Sequence, residues 1–273
     1  VYGILQLINF AHSDVYMVGA FIGFYSARWL NISDSPGYLN FFTVLFIAMA
    51  GCSILGFLIE RLAYRPLRNA PKLNALITEI GVSLFLEYSG QLVFGATPQL
   101  FPNILTDSII LSFEEVRITK FDATILLTTF SLMMILRYII TYTKLGKAMR
   151  ATSFNGQWAS LMGIPVDRII SMTFVIGSAL AAAGGILVGI KYPKIEPLMG
   201  MMIGLKAFVA AVLGGIGNIP GAVLGAMIMG IAEEFVVGYG ASTYRDALAF
   251  GILIIILLFK PAGLLGRFTV EKV

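Results

Sequence analysis

Four polar side chains recur at every fourth position inside an otherwise apolar stretch: Glu79, Ser83, Glu87 and Gln91. On an α-helix this spacing keeps the four side chains near one face. Carboxylates and a hydroxyl on one face can bind a proton, a cation or a polar solute through charge and hydrogen bonds. In apolar surroundings such groups normally face polar partners or water. The pattern therefore predicts a surface that lines a cavity, with structural pairing or a position near a membrane surface as the alternatives.

Two other apolar stretches are interrupted, "INFAHSDVYMVGAF" at 8–21 and "GGIGNIPG" at 214–221. Glycine and proline disfavour a continuous helix in the second stretch, and polar side chains interrupt the first. Paired interrupted helices, one in each half of a chain, are typical of substrate paths in transporters. An ordinary turn between two helices is the alternative for each stretch. The candidate path residues in these stretches are Asn9, His12, Gly214, Gly215, Gly217 and Asn218.

The residues that enzymes and metal sites require are scarce. The chain has one histidine and one cysteine, and Cys52 lies in an apolar run, so no metal-ligand set or disulfide framework is expected. The glycine-rich stretch at 214–221 lacks the Gly-Lys-Ser/Thr ending of a phosphate-binding loop. There is also no nucleophile elbow of the Gly-x-Ser-x-Gly type. We therefore expect no enzyme activity, no metal site and no cofactor bound by this chain.

Composition predicts the elements that hold these residues. Of 273 residues, 58% are hydrophobic and only 12% are charged, which is about half the charged share of a soluble domain. Residues 1–11 look like the end of one apolar segment, and 201–213 form a short one. Further apolar segments of membrane-spanning length fall at 15–30, 41–59, 73–95, 122–141, 169–190, 221–237 and 246–259.

The predicted fold is an all-α polytopic membrane protein, a bundle of about eight transmembrane helices with Gly/Pro-interrupted segments. The apolar runs are continuous rather than alternating, which favours helices over a β-barrel. No linker divides the chain, so residues 1–273 are expected to form a single permease-like membrane domain. Val1 is not an initiator methionine and the chain opens inside an apolar segment, so we expect the natural N-terminus to be missing.

Basic loops predict the orientation in the membrane. Residues 60–72 and 137–168 are rich in arginine and lysine and should be cytoplasmic. Two spans separate them, so residues 96–120 should lie outside. The net charge of +4 is explained by this asymmetry, and no nucleic-acid partner is expected. Dense glycine and alanine in 177–189 and 214–230 predict close helix packing, while Glu233 and Glu234 are expected at the membrane interface.

The longest predicted cytoplasmic loop, residues 142–168, contains a short amphipathic pattern. Phe154, Trp158, Leu161 and Met162 follow i, i+4, i+7, i+8 spacing, which predicts one apolar helix face. Gly163 should end this helix and Pro165 should block its continuation. Such a helix either lies on the bilayer surface or inserts into a groove of a partner protein, and the spacing alone favours neither.

Several blocks of the sequence closely resemble one family of bacterial permeases. The blocks are "INFAHSDVYMVGAF", "ERLAYRPLRNAPKLNALITEIGVSLFL", "ASLMGIPVDRIISMTFVIGSALAAAGGIL", "KAFVAAVLGGIGNIPGAVLGAMIMGIAE" and "PAGLLGRFTVEKV". The family is the membrane permease subunit of ABC importers for branched-chain amino acids (leucine, isoleucine and valine), and the resemblance runs from residue 1 to residue 273. The acidic Glu79 departs from the small or neutral residue expected there.

The resemblance implies a multi-pass subunit of the bacterial inner membrane that works by alternating access. It implies a related second permease subunit, two cytosolic ATPase subunits that hold ATP and magnesium, and a periplasmic solute-binding protein. It also implies that 153–164 is the helix that couples to an ATPase, which favours the protein partner over the bilayer surface. The coupling residues would be Phe154, Asn155, Gln157, Trp158, Ala159, Leu161, Met162 and Gly163.

Other functions remain open at this stage. The same family includes permeases for urea and short-chain amides, and nothing in the sequence separates them cleanly from amino-acid permeases. An ion-coupled secondary transporter would work without an ATPase and would need an intramembrane carboxylate such as Glu79 or Glu87. The candidate substrate path comprises Asn9, His12, Glu79, Ser83, Glu87, Gly214, Gly215, Gly217 and Asn218.

Overall fold

The computed structural model describes residues 9, 11–32, 35–68, 70–113, 116–240 and 242–266, and their fold is dominated by α-helices. These residues fall into two compact units, one ending at Met201 and the other beginning at Met202. The helices are α1 (Ala11–Trp29), α2 (Tyr38–Ile59), α3 (Lys72–Phe94), α4 (Lys120–Tyr142), α5 (Lys144–Phe154), α6 (Gly156–Leu161), α7 (Val166–Lys191), α8 (Met199–Gly214), α9 (Ile219–Gly238) and α10 (Arg245–Phe259).

The predicted all-α membrane fold is confirmed, and every apolar segment from 15–30 onward coincides with a helix of closely similar bounds. Within the described residues, five helices are long and apolar enough to cross a membrane. These are the helix that starts at Tyr38 and continues through a π turn and a 3-10 turn to Leu67, together with α4, α7, α9 and the helix over Ser242–Phe259. The helix α8 is apolar but shorter. The expected number of eight spans stays a prediction.

In the first unit, α1 lies at the centre and packs against α2, α3 and α7. The crossing of α1 and α7 depends on small residues. A Cβ atom on Gly19 would lie 2.5 Å from the Cα of Ala182, and one on Gly185 would lie 2.5 Å from the carbonyl oxygen of Tyr16. The small-residue stretch at 177–189 therefore brings helix backbones together, as predicted, because larger side chains would prevent the approach.

Contacts between elements show which helix ends lie together at each end of the first unit. The short strands β1 (Gln99–Leu100) and β4 (Lys194–Ile195) pair antiparallel, which joins the segment after α3 to the segment after α7. At the opposite ends, the Arg65 guanidinium contacts the Asp167 carboxylate at 2.9 Å. The loops predicted to be cytoplasmic thus meet at one end of the unit, and those predicted to be outside meet at the other.

The segment predicted to lie outside also forms a hairpin that the sequence did not predict. Strands β2 (Ile109–Phe113) and β3 (Val116–Thr119) pair antiparallel, with an irregularity between Ile109 and Leu111. At the last residue of β3, the Thr119 side chain caps α4 by accepting a hydrogen bond from the backbone N–H of Asp122. The hairpin therefore leads directly into α4.

In the second unit, a four-residue turn separates α8 from α9. Gly215 and Gly217 have φ angles of +102° and +86°, which favour glycine. Asn218 caps α9, since its side-chain oxygen accepts from the backbone N–H of Gly221 at 3.2 Å. The predicted interruption at 214–221 is thus a tight turn between two helices. A Cβ atom on Gly225 would lie 2.2 Å from the carbonyl oxygen of Ala210, so α8 and α9 pack closely through small residues.

Candidate functional site

Buried polar side chains lie between α1 and α3. Asp14 is completely buried, and its Oδ2 accepts a hydrogen bond from the Ser83 hydroxyl at 2.5 Å. Its other oxygen, Oδ1, has no hydrogen-bond partner among the residues that the structure describes. Glu87, one helical turn beyond Ser83, is also buried and lies close enough to Asp14 for their charges to interact. Asp14 is therefore a buried acceptor with one oxygen still available.

Glu79 continues the same face of α3 toward the predicted cytoplasmic end. It is 1% exposed, and neither of its carboxylate oxygens has a hydrogen-bond partner within the described ranges. It lies near Tyr64, whose hydroxyl donates to Oδ1 of Asn9 at 2.8 Å. The side chains of Asn9, Tyr64 and Glu79 thus form a second polar patch near the start of α1.

The four-residue spacing in α3 explains why these side chains face α1. The same face continues with Gly90, where a Cβ atom would lie 3.1 Å from Cε of Met17. It ends with Phe94, whose ring stacks on that of Phe21 at a centroid distance of 4.4 Å. One half of the α1–α3 contact is therefore apolar and closely packed, while the other half holds the carboxylates.

His12 lies in the first turn of α1, and its backbone N–H donates to the carbonyl oxygen of Asn9 at 3.2 Å. Within the described chain its position is the beginning of a helix. Ile8 and Phe10, which belong to the predicted interruption, lie outside the described residues. Asp14 belongs to the same interrupted stretch, and the sequence alone did not predict its pairing with Ser83, because that contact depends on the packing of α3 against α1.

The arrangement suits the binding of a cationic or hydrogen-bonding solute better than catalysis. A buried carboxylate oxygen without a partner is costly unless it carries a proton or meets a donor. An ammonium group offers three donors and a positive charge, which complements two neighbouring carboxylates and a hydroxyl. No group of three or more His, Cys, Asp or Glu side chains able to hold a metal ion occurs in the part of the chain that the structure describes.

The predicted amphipathic helix in the 142–168 loop is present as α6, but it is shorter than predicted. Asn155 separates it from α5, because the Asn155 side chain accepts hydrogen bonds from the backbone N–H groups of Gln157 and Trp158 at 2.9 and 3.1 Å. The prediction that Phe154 shares a helix with Trp158 is wrong, since Phe154 is the last residue of α5. The capping preference of asparagine was the signal that the spacing argument overlooked.

The apolar side chains of this loop are nevertheless exposed together. Phe154, Trp158, Leu161 and Met162 are exposed by 94%, 69%, 81% and 84%. Ala159, on the other side of α6, is 4% exposed and faces the protein. Gly163 ends the helix with a φ angle of +81°, and Pro165 lies at the position immediately before α7. This cluster of large apolar side chains is typical of a surface that a partner covers.

The second unit holds an ion-pair network that the sequence pattern did not predict. Glu233 is 5% exposed and contacts Lys206 at 3.2 Å and Arg245 at 2.9 Å. Lys206 also contacts Asp246 at 2.8 Å, and Arg245 contacts Glu234 at 2.7 Å. The expected position of Glu233 at the membrane interface stays a prediction, while the structure shows that its side chain is buried within the protein. Its pairing with cations from α8 and α10 explains how a carboxylate is buried there.

Comparison with known proteins supplies the family. Residues 1–257 match the family model described as "Branched-chain amino acid transport system / permease component". The chain is 43% identical to the high-affinity branched-chain amino acid transport system permease protein LivH of Escherichia coli (strain K12). It is 41% identical to the corresponding permease protein BraD of Pseudomonas aeruginosa. Both alignments cover 100% of this chain and 90% of the relative.

An archaeal relative extends the comparison. The chain is 30% identical to a probable branched-chain amino acid transport permease protein LivH of Methanocaldococcus jannaschii, over 94% of this chain and 82% of the relative. No solved structure matches the chain.

Proposed function

The chain belongs to the family of permease components of branched-chain amino acid transport systems, and we propose that it is the membrane subunit of an ATP-driven importer for leucine, isoleucine and valine. It is a transport subunit rather than an enzyme. Relatives named as high-affinity branched-chain amino acid permeases, alignable along the whole chain, support the substrate class. The alternative substrates within the proposal, urea and short-chain amides, have no such support among these relatives.

The observation that carries the ATP-driven part of the proposal is the exposed apolar cluster on α6 and at the end of α5. In an importer of this design, two cytosolic ATPase subunits bind ATP and magnesium, and each needs a fixed contact on a membrane subunit. Large apolar side chains in a predicted cytoplasmic loop fit a groove on such a partner. The other proposed partners are a related second permease subunit and a periplasmic solute-binding protein, and the proposed location is the bacterial inner membrane.

The contacts of α7 suggest how movement at α6 would reach the interior. Only Met162, Gly163, Ile164 and Pro165 separate α6 from α7, so a displacement of α6 acts directly on the start of α7. The helix α7 in turn packs against α1 without large side chains between them, at Gly19 and Gly185. The helix α1 carries Asp14. We propose that ATP binding and hydrolysis drive alternating access along this sequence of contacts.

The proposed substrate path uses the polar residues of each unit. In the first unit, Ser83 and Glu87 beside Asp14 would accept hydrogen bonds from the ammonium group of an amino acid. Asn9, His12 and Glu79 lie nearer the predicted cytoplasmic end of the same helices. In the second unit, the turn with Gly214, Gly215, Gly217 and Asn218 is the proposed element, because its backbone departs from helical geometry. An amino acid with an aliphatic side chain requires little more than these polar contacts.

Reconstitution tests the proposal. The chain would be placed in liposomes with its co-purified partners. Uptake of radiolabelled leucine and urea would be measured with and without ATP on the side of the membrane where the ATPase subunits lie. ATP-dependent uptake of leucine without uptake of urea is the expected result. Leucine uptake by the chain alone, driven by an ion gradient, would establish the secondary-transporter alternative and reject the proposal.

A further inference from the structure

A groove of about 430 Å³ opens where the predicted cytoplasmic ends of α2 and α7 meet. Its lining includes Phe57, Arg61, Arg65, Asp167, Arg168 and Met172. Neither the proposed transport path nor the coupling helix uses these side chains. The mixture of arginine and large apolar side chains at the end of membrane-spanning helices raises the question of what binds there.

The polar and apolar parts of the groove lie at different depths. Phe57 on α2 precedes Arg61, in the π turn that continues α2, by one helical turn, and Met172 follows Arg168 by one turn on α7. The two helices run antiparallel, since the Ser53 hydroxyl on α2 contacts the Val175 carbonyl while Arg65, farther along the chain, contacts Asp167, which is earlier in α7. The arginines of both helices therefore lie at the cytoplasmic end, and both apolar side chains lie one turn deeper.

The groove carries an excess of positive charge. Three arginines line it against one carboxylate, and that carboxylate, Asp167, is already paired with Arg65 and Arg68. Within the described ranges, neither Arg61 nor Arg168 forms an ion pair. The remaining nearby carboxylate, Glu60, is completely buried and is bonded to Arg68 and the Ser171 hydroxyl. Two guanidinium groups are thus available to an anionic ligand.

We propose that this groove binds an anionic phospholipid of the cytoplasmic leaflet. The phosphate would lie between Arg61 and Arg168, because guanidinium groups bind phosphate oxygens through paired hydrogen bonds. An acyl chain would extend over Phe57 and Met172, which are 38% and 42% exposed. Basic pockets between helices on the cytoplasmic side recognise such headgroups, and the apolar side chains at greater depth favour a lipid over a free phosphate. This inference does not depend on the transported substrate.

Native mass spectrometry of the full chain, purified from membranes with its co-purifying subunits, tests this site. After exchange into nanodiscs that contain equal phosphatidylglycerol and phosphatidylcholine, the wild-type chain should retain phosphatidylglycerol selectively. The double variant Arg61→Gln/Arg168→Gln should weaken that retention about 25-fold, from roughly fivefold for each arginine. The matched control Lys144→Gln/Lys147→Gln removes the same charge from the predicted cytoplasmic loop outside the groove and should retain the lipid as the wild type does.

A second variant covers the case in which the glutamine substitutions prevent folding. Arg61→Lys/Arg168→Lys keeps the charge but loses the forked geometry, so it should retain phosphatidylglycerol several-fold less well than the wild type. Equal retention by the wild type and the arginine variants would overturn the site, as would equal loss in the lysine control. Loss of the lipid when the ATPase subunits are bound would show that a protein partner occupies the groove instead, and would also overturn it.

Discussion

Replacement of Trp158 by alanine should detach the ATPase subunit while the membrane domain stays folded. The Trp158 side chain is 69% exposed, and a tryptophan side chain presents about 150–250 Å². A partner groove that covers the exposed part would therefore bury about 100–170 Å². At about 25 cal/mol per Å², this burial contributes roughly 2.5–4 kcal/mol, which corresponds to a loss of about 70- to 900-fold in affinity. Interfaces commonly lose this much when a central tryptophan is truncated.

The assay is a titration of the purified ATPase onto the chain in nanodiscs, followed by ATP-dependent leucine uptake. The chain supplies a matched control in its other tryptophan, Trp29. Trp29 is 82% exposed and is the last residue of α1, away from the predicted cytoplasmic loop that holds α6. Trp29→Ala should leave the affinity unchanged. If Trp158→Ala bound the ATPase within about twofold of the wild type, the proposed docking role of α6 would be refuted. The variant Trp158→Glu, which adds a charge to the contact, should abolish uptake.

Three further substitutions test the packing and capping arguments. Asn155→Ala removes the cap of the six-residue helix α6 and should lower the local stability of that helix by about 1 kcal/mol. Faster amide hydrogen exchange over 156–161 is expected, and unchanged exchange would count against the cap. Gly185→Val should lower the melting temperature by many degrees, because its Cβ atom would lie 2.5 Å from a backbone oxygen, whereas Gly81→Ala, with open space, should not. Lys206→Met leaves the Glu233 carboxylate buried with one partner fewer and should lower the free energy of unfolding by about 3 kcal/mol. The double variant Lys206→Met/Glu233→Leu should recover most of that loss, and a further loss of stability would contradict the pairing.

The sequence predicted the helices well because one physical cause dominates them. In a membrane every backbone N–H and C=O must be satisfied within the segment, so a long apolar run has essentially one solution. The helices α4 and α7 accordingly begin and end within a few residues of the predicted segments. The close packing at 177–189 was equally predictable, because glycine and alanine leave no side chains to separate the backbones.

The short elements between the spans were not predictable in the same way. The β2–β3 hairpin and the β1–β4 pair depend on contacts between segments that are distant in sequence, and their runs are too short for a periodic pattern. At α6, the apolar spacing across Phe154 and Trp158 is real but does not reflect one helix. The Asn155 side chain accepts hydrogen bonds from two backbone N–H groups, so a new helix begins there and local capping prevails over periodicity.

The polar residues show why a pattern on one helix identifies half of a site. The spacing of Glu79, Ser83 and Glu87 correctly indicated one face of α3, since Glu79 and Glu87 are both buried. It carried no information about the helix opposite, which supplies Asp14. Glu233 illustrates the same limit, because its burial depends on Lys206, a single lysine in an apolar run, and on Arg245 from a third element. A carboxylate in an apolar segment therefore predicts that a partner exists, and only the packing of the helices decides whether that partner is a cation of the protein, a hydroxyl or the transported solute.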